Sequence, residues 1–129
     1  MKMMLDSVII FGQNIEILKK FYIDILKLSI IEEITSEWVL LDAGNCTIGL
    51  HRIGKEFRQE NPNPDFKVNN NTKLVFIVQQ DIFELRNSLL HQNVTIREIK
   101  TFDNYDFWIC DGEDPEGNVF QLKQKKTIN

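Results

Sequence analysis

Apolar and polar residues alternate along this chain in two rhythms, and the order of the rhythms repeats. Ser7 to Gly12 (SVIIFG) is short and β-rich, and predicts a strand. Asn14 follows as a helix cap. Ile15, Leu18, Phe21, Tyr22, Ile25 and Leu26 then recur at steps of three and four, with Glu16, Lys19, Lys20 and Asp24 mostly opposite. That spacing predicts an amphipathic helix near Ile15 to Leu26. Three more strands are expected at Ser29 to Ile34, Glu37 to Ala43 and Cys46 to Arg52, joined by short turns. Gly54 to Thr72 has no periodicity and holds two prolines and many asparagines, which predicts a long loop. Within it Phe57 and Phe66 are expected to pack the loop onto the body. Then the order restarts. Lys73 to Val78 reads as a strand, and Asp81, with Glu84 three residues on, reads as a helix start. A helix near Ile82 to Gln92 follows, then strands at Thr95 to Ile99, Asp106 to Asp111 and Asn118 to Gln124.

Both halves therefore read βαβββ. Ile15, Leu18 and Tyr22 match Ile82, Leu85 and Leu89, each 67 residues on. The expected fold is α+β: two βαβββ modules forming a curved mixed sheet with a concave cleft. One helix covers one face of each module's sheet, and the two uncovered faces would make the walls of the cleft. The chain is expected to be a single domain, residues 1–129, with module one at about 5–53, the linker loop at 54–72 and module two at about 73–124.

Composition removes several function classes. A net charge of −4 with no Lys/Arg cluster argues against nucleic acid as a partner. No stretch approaches the roughly 20 apolar residues of a spanning helix, and the start lacks a small-residue cleavage site, so no membrane role and a cytoplasmic location are expected. Cys46 and Cys110 stand apart without CxxC spacing, and read as buried thiols.

The repeat, the helix phrase "FYIDILKLSI" and the closing "DPEGNVFQL" together resemble the vicinal oxygen chelate superfamily. That group includes glyoxalases, extradiol dioxygenases and bleomycin-resistance proteins. The resemblance runs from about Val8 to Lys123, and Lys27 stands where the helix phrase usually has glycine. Metal-using members place one ligand on each of four strands. The resemblance puts those positions at Ser7, Gly49, Lys73 and Gln121. Divalent ions need imidazole or carboxylate donors, and only Gln121 could ligate, so no metal and no cofactor are expected.

Strand parity then nominates the cleft residues. If Gln121 faces in, so do Val119 and Lys123, while Phe120 and Leu122 pack under the helix. Ser7, Ile9, Phe11, Thr47, Gly49, His51, Lys73, Val75 and Ile77 join the cleft by the same rule. The candidate ligand-binding residues are Phe11, Trp38, His51, Lys73, Trp108 and Gln121. Trp38 and Trp108 suit stacking on a flat ligand, although parity leaves their faces open. Lys73 is expected to meet an anionic ligand, Asp111 or solvent, and Gln121 a ligand or a neighbour such as Lys73. His91 closes a helix, where its role is structural. No catalytic residue is assigned. The leading functional reading is a metal-free protein that binds a small, aromatic or amphipathic molecule and forms a homodimer. The alternatives are a metal-dependent lyase, isomerase or dioxygenase with non-standard ligands, drawing on His51, Asp42, Asp111 and Glu113, or a domain that serves a protein partner alone.

Overall fold

The computed structural model describes residues 2–61, 63–69 and 71–126; of the predicted loop, Pro62 and Asn70 lie outside the described residues. The chain divides into two compact units, Met1–Phe66 and Lys67–Asn129, and the division falls inside the predicted loop.

Unit 1 carries β1 (Ser7–Gly12), α1 (Ile15–Lys20), β2 (Ser29–Ile34), β3 (Trp38–Asp42) and β4 (Thr47–Arg52). Its sheet has the order β1-β4-β3-β2. The first and last strands pair in parallel, and the other neighbours are antiparallel. Asn14 caps α1 by accepting from the Ile17 amide at 3.2 Å. Ile15, Leu18, Phe21 and Tyr22 are buried, together with Ile10, Val39, Leu41, Ile48 and Leu50. Those five strand residues share one face of the sheet, so the helical spacing and the strand alternation meet in one core.

The helix does not stay α to Leu26. From Phe21 to Ile25 it widens into a π turn, with the Leu26 amide donating to the Phe21 carbonyl at 3.1 Å. Lys27 then adopts a left-handed conformation, φ 66°, and the Leu28 amide closes onto the Tyr22 carbonyl at 2.9 Å. This is the position where the resembling helix phrase has glycine, and the backbone shows why glycine suits it.

Unit 2 carries β5 (Lys73–Ile77), α2 (Ile82–His91), β6 (Thr95–Ile96), β7 (Phe107–Glu113) and β8 (Val119–Lys125). The order β5-β8-β7-β6 repeats the first sheet's plan, again with the first and last strands parallel. The register repeats as well: Ile9 lies opposite Gly49, as Val75 lies opposite Gln121. Asp81 caps α2 by accepting from the Phe83 amide at 2.8 Å. Ile82, Leu89, Cys110, Phe120 and Leu122 are buried. The two four-stranded sheets are mixed and open, with one principal helix in each unit: an α+β fold of two βαβββ modules.

The strand expected at Thr95 to Ile99 is shorter, Thr95–Ile96. The Arg97 carbonyl leaves the ladder and instead accepts from Arg86 Nε at 2.8 Å and from the Cys110 thiol at 3.2 Å. The ladder resumes only as an isolated bridge between Lys100 and Ile109. The loop also differs in its attachment. Phe57 is 66% exposed and Phe66 half-buried. Polar contacts hold the segment: Gln13 donates to the Phe57 carbonyl and accepts from the Gln59 amide, while in unit 2 Lys67 donates to the Pro115 carbonyl.

The closing Asp-Pro-Glu-Gly turn is built around a buried carboxylate. Asp114 Oδ1 accepts from the Glu116 and Asn118 amides, and Oδ2 accepts from Asn118 Nδ2, at 2.8–3.0 Å. The Gly117 amide closes the turn on the Asp114 carbonyl, and Gly117 itself is left-handed at φ 88°. The turn sets β8 antiparallel to β7 and so fixes which β7 residue faces Gln121.

Replacing Lys27 with glycine tests the strain at the end of the first helix. A side chain in the left-handed region costs about 1–2 kcal/mol, and glycine returns part of that as lost chain entropy. Lys27→Gly is expected to stabilise the fold by up to about 1 kcal/mol, read as a higher urea midpoint. An unchanged or lower midpoint would show that the turn carries no such strain.

Candidate functional site

In each unit one sheet face lies under a helix and the other is left open. On the open face of unit 1 stand Ser7, Ile9 and Phe11 from β1, Thr47, Gly49 and His51 from β4, and Trp38 and Leu40 from β3. Ile9 and Phe11 are 48% and 55% exposed, whereas Ile10 between them is buried. Trp38 is thereby placed on the open face: it lies opposite His51 in the ladder.

Three rings gather there. His51 sits 5.4 Å from Phe11 and 5.9 Å from Trp38, centroid to centroid, with tilted or edge-on geometry. The indole lies over Gly49. A Cβ added to Gly49 would fall 2.4 Å from Trp38 Cη2 and 2.7 Å from Cζ3. Glycine at this position is therefore the seat of the tryptophan. Glu32 holds the indole from the side, accepting from Trp38 Nε1 at 3.0 Å. Simple alternation along β2 does not place Glu32 beside Trp38, because the strand slips register between Ile30 and Glu32.

The open face of unit 2 holds Lys73, Val75 and Ile77 from β5, Val119, Gln121 and Lys123 from β8, and Phe107, Ile109, Asp111 and Glu113 from β7. Asp111 is the centre of a polar cluster. Lys73 Nζ meets its Oδ2 at 2.8 Å, and Gln121 Nε2 donates to its Oδ1 at 3.0 Å. Lys73 thus takes Asp111 as its partner. Gln121 also turns to Asp111 and not to Lys73, because β7 places Asp111 directly across from it. Burial by itself raises the Asp111 pKa. The hydrogen bonds from Lys73 and Gln121, with the charges of Lys73 and Lys100, outweigh burial and hold the carboxyl below its ordinary 3.8.

Trp108 lies on the other face. It packs edge-on against Phe83 of α2, at 5.3 Å, and Lys126 stands over its ring. It is part of the helix-covered layer and does not join the open-face residues. Its neighbour Phe107 faces the open side, with Lys123 Nζ 4.3 Å from the ring centre. His91 is held at the end of α2 by the Asn87 carbonyl. Asp42 accepts from the Gly44 amide and Glu113 pairs with Arg97.

The donor set does not suit a divalent ion. Ser7 donates to Asp6, Gly49 has no side chain and lies beneath an indole, and Lys73 and Gln121 both donate to Asp111. Among the described residues no group of three or more His, Cys, Asp or Glu is arranged to hold a metal. The positions at which the superfamily's metal users carry ligands therefore do not fit the ion here.

No protein-family model matches the chain, and no curated relative matches it by sequence. Its fold does have counterparts. A lactoylglutathione lyase from Agrobacterium tumefaciens superposes with a TM-score of 0.73 at 14% identity, covering 94% of this chain and 92% of that one. A putative glyoxalase family protein from Bacillus anthracis gives 0.68 at 20%, covering 98% of each. TnmS3, an antibiotic binding protein from Streptomyces sp. CB03234, gives 0.68 at 15%, covering 97% and 98%. The chain is a two-module α+β protein with the glyoxalase-like fold. That is the fold implied by the resemblance to the vicinal oxygen chelate superfamily.

The polar cluster makes stability depend on pH. A carboxyl whose folded-state pKa is lowered stabilises the fold above its unfolded value, and the contribution is lost as pH falls through the folded value. Lys73 is partly exposed, so screening limits the pair to about 1 kcal/mol. Asp111→Asn is expected to cost about that much at pH 7 and progressively less below about pH 4. Urea unfolding of both proteins at pH 7 and pH 3 checks this; a gap that stays constant with pH would contradict it.

Proposed function

We propose that the protein binds a small aromatic or amphipathic molecule on the open face of unit 1, and does so without a resident metal. The observation that carries this reading is the indole of Trp38 laid over Gly49, with His51 at its edge and Phe11 against His51. Exposed aromatic surface of this kind has its use in contact with a flat partner, and soluble proteins seldom leave it without one. One protein of the same fold is an antibiotic binding protein. In unit 2, Lys73 and Gln121 are engaged by Asp111, which leaves them as a polar anchor. Both cysteines are free thiols, as suits a cytoplasmic location.

Metal content and a ligand-screening melt test this reading together. Purified protein is expected to carry no stoichiometric zinc, nickel, manganese or iron, and added metal should leave its melting temperature unchanged. A small aromatic ligand should raise that temperature, because binding to the folded state stabilises it. About one bound metal per chain would put a lyase or dioxygenase function in place of simple binding.

The reading includes a homodimer. Ile30, Ile31 and Ile34 on one sheet, and Val75 and Ile77 on the other, remain exposed, and a twofold copy is the commonest way to cover such surface. Light scattering should give twice the 15.2 kDa of one chain. A monomer mass across micromolar concentrations would overturn the dimer.

A further inference from the structure

The ring of His51 has a fixed tautomer, and this gives the aromatic surface of unit 1 a chemical preference. His51 Nδ1 lies 2.7 Å from the Arg52 carbonyl oxygen. A carbonyl oxygen only accepts, so Nδ1 carries the proton. In the neutral ring Nε2 is then an acceptor. Among the described residues no hydrogen bond is made to Nε2, and the residue is exposed. Its ring neighbours cannot supply a donor. Phe11 has none, and the Trp38 N–H is bonded to Glu32. The surface is therefore aromatic with one unmet acceptor. Glu32 adds a negative charge beside the indole, which disfavours an anionic ligand.

We infer that this surface selects flat, neutral aromatic molecules bearing a hydroxyl or N–H donor, with His51 Nε2 accepting the hydrogen bond while Phe11 and Trp38 contact the ring. The inference rests on the small-molecule reading above and narrows it to a class of ligand. A capped analogue, with the donor hydrogen replaced by methyl, keeps the stacking area and loses the hydrogen bond. It also leaves Nε2 desolvated without a partner, and that penalty is what makes a polar site discriminate.

The test compares 2-naphthol with 2-methoxynaphthalene by equilibrium dialysis, read by the fluorescence of the ligand itself. The ether is the more apolar of the two, so hydrophobic partition alone would favour it. The wild-type chain is expected to bind 2-naphthol about fivefold more tightly. In His51→Phe the preference should vanish while both ligands still bind. His51→Gln, which keeps an acceptor oxygen, should retain part of it. Equal binding of the two ligands by the wild-type chain, or a preference that survives in His51→Phe, overturns the inference and leaves aromatic binding standing. Failure of the wild-type chain to bind either ligand overturns the small-molecule reading itself, and the inference with it.

Discussion

One helix can cover only one face of a sheet, and each unit of this protein has one principal helix for four strands. Everything else in the units follows from that shortfall. Side chains alternate across a strand, so covering one face fixes which half of the residues form the core. In unit 1 the covered set is Ile10, Val39, Leu41, Ile48 and Leu50, all buried against the helical residues Ile15, Leu18, Phe21 and Tyr22. The complementary set, Ile9, Phe11, Trp38, Gly49 and His51, is left to find other partners. Parallel pairing of the first and last strands enforces the arrangement, because the helix is the crossover between β1 and the rest of the sheet.

That constraint is also why much of the fold was legible in the sequence. The helical rhythm of Ile15, Leu18 and Tyr22 and its echo in Ile82, Leu85 and Leu89 located both covering helices. Strand parity then placed Phe11 and His51 on the open face of the first sheet, and Phe120 and Leu122 on the covered face of the second. What escaped were features set by tertiary geometry. The β2 register slip put Glu32 beside Trp38, and no local pattern signals such a slip. Trp38 and Trp108 look alike in sequence, each near the start of an apolar strand. The ladder separates them: Trp38 pairs with His51 on the open side, while Trp108 pairs with Gln124 under α2. The pairing of Gln121 with Asp111 depended on the closing turn, where the buried Asp114 sets the register of β8 on β7.

The two open faces meet the same shortfall with different chemistry. Unit 1 gathers rings: an indole on a glycine, an imidazole at its edge, and a phenyl against the imidazole. Unit 2 uses charge, with Asp111 held by an ammonium and an amide. Gly49 and Gln121 occupy corresponding register positions in the two sheets, opposite Ile9 and Val75. At one of them the side chain is missing and an aromatic fills the room; at the other the side chain is kept and bonded to a neighbour.

This difference bears on which chemistry each face can support. A metal ligand must present a lone pair that nothing else has taken. At Gly49 the space for a donor is occupied by the indole, and restoring a side chain there means moving Trp38 and its bond to Glu32. At Gln121 the amide oxygen keeps its lone pairs while Nε2 donates to Asp111, but Lys73 brings a positive charge to the same carboxylate and repels a cation there. On unit 1 a donor side chain at Gly49 would therefore require Trp38 to move as well, and on unit 2 the ammonium of Lys73 would oppose a cation beside Gln121. The seat on Gly49 and the bond to Glu32 hold the indole in place, as Lys73 and Gln121 hold Asp111. A surface ordered in advance loses less entropy on binding than one that must be assembled. On unit 1 the lock is the short chain of Gly49, Trp38 and Glu32, so the geometry of the aromatic surface rests on a residue with no side chain at all.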